Sequence, residues 1–160
     1  MSSSKHSLHR RSRPALPSGL RLERWQRGAV YLSVALLTLS GMAWIGAHYF
    51  FRPLTQFGET ISPIEPWSMK LHGAAAMAGW FFFGSLLNGH IRGALRIKRN
   101  LASGWMMVAL FSLLTLSGFG LYYLAAESSR PLWSVIHWTI GCTLALGLAM
   151  HITLGRRKPV

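Results

Sequence analysis

The residues of this sequence with the greatest chemical potential are its histidines. Five of the seven lie inside long apolar segments, and these are His48, His72, His90, His137 and His151. An ionisable side chain at membrane depth is costly and usually faces the interior of a helix bundle for a functional reason. A single such histidine can be a core residue bonded to a serine or a carbonyl group. Two on each of two helices is a much rarer arrangement, so these histidines are candidate ligands.

The apolar segments that carry the histidines contain no Lys, Arg, Asp or Glu. They cover residues 28–51, 71–91, 101–126 and 132–155. Each is at least as long as the roughly 20 residues that a helix needs to cross the hydrocarbon core. The alternative, four buried helices of a soluble bundle, would require polar outer faces at the helical period, and these are missing. The sequence therefore predicts an all-α transmembrane four-helix bundle in contact with membrane lipid, with spans at about 28–51, 69–91, 101–126 and 132–155.

Positive charge is concentrated on one side of the predicted spans. Fourteen of the 17 Lys and Arg residues lie in residues 1–27, in the loop at 92–100 or at the C-terminus. The positive-inside rule then places both termini and this loop in the cytoplasm. The net charge of +13 is a topology signal, so no nucleic-acid partner is predicted. Residues 1–26, rich in Ser, Arg and Pro, are predicted to form a disordered cytoplasmic arm, and residues 27–157 the membrane domain.

Two sequence patterns recur in the same order. The hexapeptide LLTLSG occurs at residues 36–41 and again at 113–118. The second and fourth spans are each preceded by Trp-Ser, at Trp67 and Trp133, and each ends on His-Ile followed by Gly and Arg. These matches predict two related helical hairpins. The second and fourth spans would then run parallel and present equivalent groups at equivalent depths.

The spacing of the histidines determines how they can pair. His137 and His151 are 14 residues apart, roughly 21 Å along a helix axis and within about 40° of one face. His72 and His90 are 18 residues apart, roughly 27 Å, and share a face. The spacing predicts an outer pair, His72 with His137, and an inner pair, His90 with His151. The two axial spacings differ by about 6 Å, so the two histidines of each pair would be offset along the helix axes by about 3 Å.

Two stacked histidine pairs across a bilayer suit two haems better than any other cofactor. Neutral imidazole nitrogens ligate haem iron from both faces, which closes the iron to substrate and favours electron transfer. Cys142 is the only cysteine, so no C-x-x-C-H attachment exists and the haems would be non-covalent and of b type. Arg92, Arg99 and Arg130 lie at the ends of the spans. They are candidate partners of haem propionates, or loop charges that only set the topology.

His48 is harder to assign than the four paired histidines. It lies near the outer end of the first span, at a depth similar to His72 and His137. It could replace one of them as a ligand, contact a propionate or contribute to a quinone site. Small residues beside the paired histidines would leave room for a flat macrocycle, although such residues also serve close helix packing in haem-free bundles. They include Gly73, Gly79, Gly141 and Gly147.

Five short motifs occur in order along the spans. They are Leu71-His72-Gly73, His90-Ile91-Arg92, RNLASG at 99–104, LSGFGLYY at 116–123, and the stretch from His137-Trp138 to HITLGRR at 151–157. Together they resemble bacterial four-helix cytochromes b over roughly residues 27–157. These include cytochrome b561-like proteins, the cytochrome b subunits of respiratory formate dehydrogenases and nickel–iron hydrogenases, and flavinylation-associated cytochromes.

The resemblance implies two b-type haems in a bacterial inner membrane. It also implies electron transfer between a redox partner, such as a soluble or periplasmic electron-transfer subunit, and the quinone pool. His72, His137 and His151 match ligands of these families. In the formate dehydrogenase-type subunits, the remaining ligand comes from the cytoplasmic end of the first helix, where this chain has WQR at 25–27 and no histidine. His90 takes that role here.

No catalytic nucleophile and base are visible in the sequence. We therefore expect an electron-transfer subunit of a respiratory oxidoreductase rather than a complete enzyme. Two other classes of function remain open at this stage. One is a haem-free transporter whose histidines bind a metal ion or relay protons. The other is a structural subunit whose helices pack against a larger complex.

Overall fold

The structure is a computed structural model, and it describes residues 22–157. Its helices are α1 (Arg24–Phe50), α2 (Ile64–Leu86), α3 (Arg92–Arg96), α4 (Leu101–Phe119) and α5 (Arg130–Arg157). A small antiparallel ribbon, β1 (Leu54–Thr55) with β2 (Gly58–Glu59), lies in the connection from α1 to α2. Four of the helices are long and α3 is short. The predicted all-α four-helix bundle is confirmed.

Three of the four long helices, α1, α2 and α5, begin earlier than the charge-free segments predict. A capping box between Glu23 and Gln26 starts α1 at Arg24, inside the region predicted as a disordered arm. The rest of that arm, residues 1–21, lies outside the described residues. α2 begins at Ile64 with Pro66 in its first turn, where a missing backbone N–H costs no hydrogen bond.

Two helices continue through π-helical turns. The turn Leu87–Ile91 joins α2 to α3, and the turn Gly120–Leu124 extends α4. A π turn inserts an extra residue into a helix and is frequent at functional sites. The first of these turns contains His90.

Among residues 22–157, three helical segments are long and apolar enough to cross a membrane, and they are Arg24–Phe50, Leu101–Leu124 and Arg130–Gly155. α2 is not among them. By length and composition, the prediction of four spans therefore holds for three. Large apolar side chains point outward on all four long helices. Leu39, Met77, Phe119 and Leu146 are 54–77% exposed, which is the surface expected of a protein surrounded by lipid.

The bundle consists of two antiparallel hairpins, α1 with α2 and α4 with α5. Among the described residues, the buried apolar side chains are Ala47, Ala75 and Leu144, and no large side chain is fully buried. A close-packed interior would bury many. The hairpins instead leave space between them, and a cavity of about 340 Å³ is bordered by all four long helices.

Candidate functional site: two histidine pairs

The structure brings the four histidines of α2, its π turn and α5 together as two pairs. The ring centroids of His72 and His137 are 6.1 Å apart, with an interplanar angle of 69°. Those of His90 and His151 are 6.2 Å apart, at 82°. Each pair takes one imidazole from each hairpin. The earlier histidine of one segment pairs with the earlier histidine of the other, and the later with the later. α2 and α5 therefore run parallel, as the repeated pattern predicts.

The two pairs have nearly equal separations although their sequence spacings differ. Straight α-helices would leave an axial difference of about 6 Å between spacings of 18 and 14 residues. The π turn Leu87–Ile91 lies just where this difference must be absorbed. A wider turn places more residues in each turn of helix, so it changes the position of His90 relative to His72.

Serines on the partner helices orient the outer pair. Nδ1 of His72 lies 2.9 Å from Oγ of Ser40, and Nδ1 of His137 lies 2.8 Å from Oγ of Ser117. Both serines donate their own hydrogen to carbonyl groups of their own helices, at 2.6 and 3.1 Å. A hydroxyl group has one hydrogen to donate. Each imidazole is therefore the donor to its serine, which leaves Nε2 with a free lone pair.

The inner pair repeats this arrangement on the side of α5. Nδ1 of His151 lies 3.0 Å from Oγ of Ser103, and that hydroxyl donates to the carbonyl of Asn100 at 3.2 Å. Ser103 and Ser117 are 14 residues apart on α4, as His137 and His151 are on α5. The two hydrogen bonds, Ser117–His137 and Ser103–His151, therefore follow one antiparallel register of α4 against α5. His151 also keeps its Nε2 lone pair for a ligand role.

The repeated LLTLSG hexapeptide has a structural role in each hairpin. Its serine bonds the imidazole, and its glycine lies against the same ring. A Cβ atom would lie 3.6 Å from Cε1 of His72 at Gly41, and 3.3 Å from Cε1 of His137 at Gly118. Sequence reasoning found this repeat but missed the part its serines and glycines play. A signal for the serines was present in the sequence, because Ser103 and Ser117 have the same 14-residue spacing as His137 and His151.

The geometry of each pair fits a metal ion held between two imidazoles. A metal–nitrogen bond of about 2.0 Å, with about 1 Å from nitrogen to ring centroid, puts two such rings about 6 Å apart. Metal-ligating histidines usually donate their second ring N–H to a neighbouring group, as His72, His137 and His151 do. Within residues 22–157 there is no group of three or more His, Cys, Asp or Glu that could hold a metal ion. A haem iron takes only two ligands from the protein, so the pairs fit a bis-histidine haem.

The inner pair lies on the wall of the interhelical cavity. His90 and His151 both line it, together with Phe82, Phe111 and Arg99 among others. A mostly apolar cavity with a few convergent polar groups is the usual form of a cofactor site. Arg99 comes from the loop before α4, where its guanidinium is suited to an anionic substituent of a bound ligand.

The other two arginines singled out in the sequence lie elsewhere. Arg130 donates to the carbonyls of Leu121 and Ala125 at 3.3 and 3.4 Å, so it stabilises the end of the π turn after α4. Arg92 is exposed in the first turn of α3. Neither position gives support for a propionate contact, and only Arg99 of the three lines the cavity.

His48 is held away from both pairs. Its Nδ1 lies 2.9 Å from Oε2 of Glu65, and its ring stacks on Trp44 at 4.6 Å between centroids. Arg52 places Nη2 3.0 Å from the same Nδ1. The structure therefore does not bring His48 to a pair as a ligand. Sequence reasoning missed Glu65, because it treated this acid as part of a loop.

The small residues expected to leave room for a macrocycle mostly serve helix contacts. Gly79 packs on Leu37, and Gly141 and Gly147 pack on side chains of α4. Gly73 is exposed and has no atom within 4 Å of an added Cβ. This is the close helix packing that small residues give membrane bundles.

Comparisons of the chain with protein-family models, with curated proteins and with solved structures find no match. The resemblance of its motifs to four-helix cytochromes b stays a prediction.

Proposed function

We propose that this chain is a b-type membrane cytochrome that binds two non-covalent haems, one at each histidine pair. The observation that carries the proposal is the pair of equal ring separations, 6.1 and 6.2 Å, between parallel helical segments. When bound, a haem held by two imidazoles exchanges single electrons and offers no open position to a substrate. The sequence contributes no nucleophile and base, so the role is electron transfer as a subunit of a respiratory oxidoreductase.

The side chains around each pair hold the imidazoles ready for that role. Ser40, Ser117 and Ser103 accept from Nδ1, which fixes the tautomer and the ring orientation. Gly41 and Gly118 admit the outer rings close to α1 and α4. The mostly apolar lining of the cavity gives the inner pair surroundings of low polarity, which is one of the protein's means of setting a reduction potential.

The orientation in the membrane follows from packing and charge. α2 packs along α1, so we infer that it crosses the bilayer with α1. The basic termini and the loop at 92–100 face the cytoplasm of a bacterial inner membrane. The pair His72–His137 then lies toward the outer surface and His90–His151 toward the inner surface. Electrons would pass between redox partners on the two sides, one of which is a soluble or periplasmic electron-transfer subunit or the quinone pool.

The test is a reduced-minus-oxidised spectrum of the purified chain with haem quantitation. We expect a b-type α-band and two haems per chain. A colourless protein, after expression with adequate haem supply, would refute the proposal. If that colourless protein supported metal-dependent flux in vesicles, the transporter alternative would replace it.

The interplanar angles predict a further spectroscopic property. Nearly perpendicular imidazole planes, at 69° and 82°, keep two of the iron d orbitals close in energy. Both ferric haems should then give low-spin electron paramagnetic resonance signals with an unusually large maximum g value. Spectra of the oxidised protein at liquid-helium temperature check this. Rhombic signals typical of parallel ligand planes would contradict the geometry of the pairs.

Removal of the serine hydroxyl should weaken the outer site without removing a ligand. Ser117→Ala leaves His137 in place but deletes the acceptor of its Nδ1–H. Loss of such a partner typically costs about 10–100-fold in metal affinity. Haem transfer to an excess of a haem-scavenging apoprotein measures the change. The matched control is Thr115→Ala, which deletes a hydroxyl bonded only to its own helix, to the carbonyl of Phe111 at 3.0 Å. Equal haem loss from both variants would contradict the role of Ser117.

A further inference from the structure

A histidine–carboxylate pair lies at the outer end of the α1–α2 hairpin, apart from the two histidine pairs. Glu65 is 8% exposed and sits in the first turn of α2. Its Oε2 bonds Nδ1 of His48 at 2.9 Å. Its Oε1 is buried, and among the described residues it has no hydrogen-bond partner. A buried carboxylate oxygen without a donor is costly.

Because of its contacts, His48 can share a proton with Glu65. Nδ1 of His48 lies within hydrogen-bond distance of both Oε2 of Glu65, at 2.9 Å, and Nη2 of Arg52, at 3.0 Å. A guanidinium can only donate, whereas a carboxylate can only accept. A hydrogen on Nδ1 therefore favours Glu65, and a lone pair on Nδ1 favours Arg52. Transfer of the proton between Glu65 and His48 switches His48 between its two neighbours.

The pair has access to water on the outer side. A crevice of about 320 Å³ reaches His48. The residues that line it are His48, Tyr49, Phe50, Arg52 and Glu59. The charged and titratable groups that face the pair are thus Arg52 after α1, Glu59 on β2 and Tyr49 on α1 itself. His48 lines the crevice and Glu65, which bonds it, does not, so a proton can reach Glu65 from the crevice through the imidazole.

The same carboxylate lies close to the outer histidine pair. Glu65 and His72 are seven residues apart on α2, which is two turns, about 10 Å, on one face of the helix. At this distance, with an effective dielectric constant of about 20, one added charge changes the proton affinity of a neighbour roughly tenfold. The addition of one electron at the outer pair should therefore change the proton affinity of Glu65.

We propose that Glu65 and His48 form a proton-binding site coupled to the redox state of the outer haem. This inference rests on the proposed function. When one electron from a redox partner reaches the outer haem, the pair takes up one proton from the outer water through the crevice. When the electron leaves, the proton returns by the same route. The charge of the electron is thereby compensated within the low-dielectric part of the bundle.

The experiment is a redox titration of the full chain in lipid nanodiscs, followed at the α-band between pH 6 and 9. Because reduction is accompanied by proton uptake, the outer midpoint potential should fall as pH rises. The total change should correspond to about a tenfold change in the reduction equilibrium constant. Glu65→Gln should abolish this dependence at unchanged haem content, and His48→Gln should weaken it. The matched control, Glu59→Gln, removes an exposed acid at the same crevice and should retain it.

The outcomes separate this inference from the proposed function. Two haems with a pH-dependent outer potential that is lost in Glu65→Gln would support the site. Two haems with an outer potential that does not change with pH, or with the same dependence in Glu65→Gln, would overturn it and leave the cytochrome proposal intact. Absence of haem from the unmodified chain would overturn both. If Glu65→Gln does not fold, the His48→Gln titration decides in its place.

Discussion

His137→Ala should reduce the haem content from two per chain to one, and His72→Ala should remove the same haem. The two imidazoles come from different hairpins yet have ring centroids 6.1 Å apart. A haem that loses one of two axial ligands in a partly exposed site loses most of its binding free energy. The residual spectra of the two variants should therefore coincide. His90→Ala and His151→Ala should likewise coincide with each other, and should leave the other haem.

Haem quantitation and low-temperature difference spectra of the four purified variants test this pairing. Leu146→Ala is the matched control, since Leu146 lies on α5 between His137 and His151 and is 73% exposed. It should keep both haems. If His72→Ala and His151→Ala gave the same residual spectrum, the assignment of outer and inner pairs would be wrong. Retention of two haems by all four variants would remove the histidines from the site altogether.

The pairing could be predicted from the sequence because it depends on helix geometry alone. Spacings of 14 and 18 residues put both histidines of each helix on one face, and the duplicated pattern makes the two helices parallel. The axial mismatch could not be resolved in that way. The π turn at Leu87–Ile91 lies within the longer interval, and no residue type in that turn specifies a π turn rather than an α turn.

The side chains that contact the histidines could not be predicted from the sequence, for a different reason. Which α4 residue faces His137 depends on the rotation and crossing of two helices, and a single helical period does not determine these. The repeated hexapeptide narrows the choice but does not say which of its six residues points inward. In the structure this is Ser117, with Gly118 next to it.

Charge was a poor guide to where the second helix begins. The charge-free segment starts after Lys70, yet α2 starts at Ile64 and includes Glu65. That acid is tolerated because His48 bonds it and because the N-terminus of a helix favours a negative charge. A criterion that excludes every charged residue from a span therefore excludes the first turn of α2.

Gly120→Ala should strongly destabilise the α4–α5 hairpin. A Cβ atom at Gly120 would overlap the six-membered ring of Trp133. Gly120 opens the π turn, and Trp133 lies one helical turn before His137. Overpacking of this kind typically costs about 1–3 kcal/mol of folding stability. We expect a cost in this range for Gly120→Ala if the ring of Trp133 can partly move. We expect a lower thermal midpoint and earlier release of the outer haem.

Thermal release of haem, followed at the α-band together with helix content, measures both effects. Gly84→Ala on α2 is the control, because nothing lies within 4 Å of its added Cβ. It should be neutral or slightly stabilising, as replacing an exposed glycine reduces the entropy of the unfolded chain. Adding Trp133→Leu to Gly120→Ala should recover part of the lost stability, since it makes room for the methyl group. If the double variant were as unstable as the sum of the two single ones, contact with Trp133 would not be the cause. The reason for the glycine would then lie in the π turn itself.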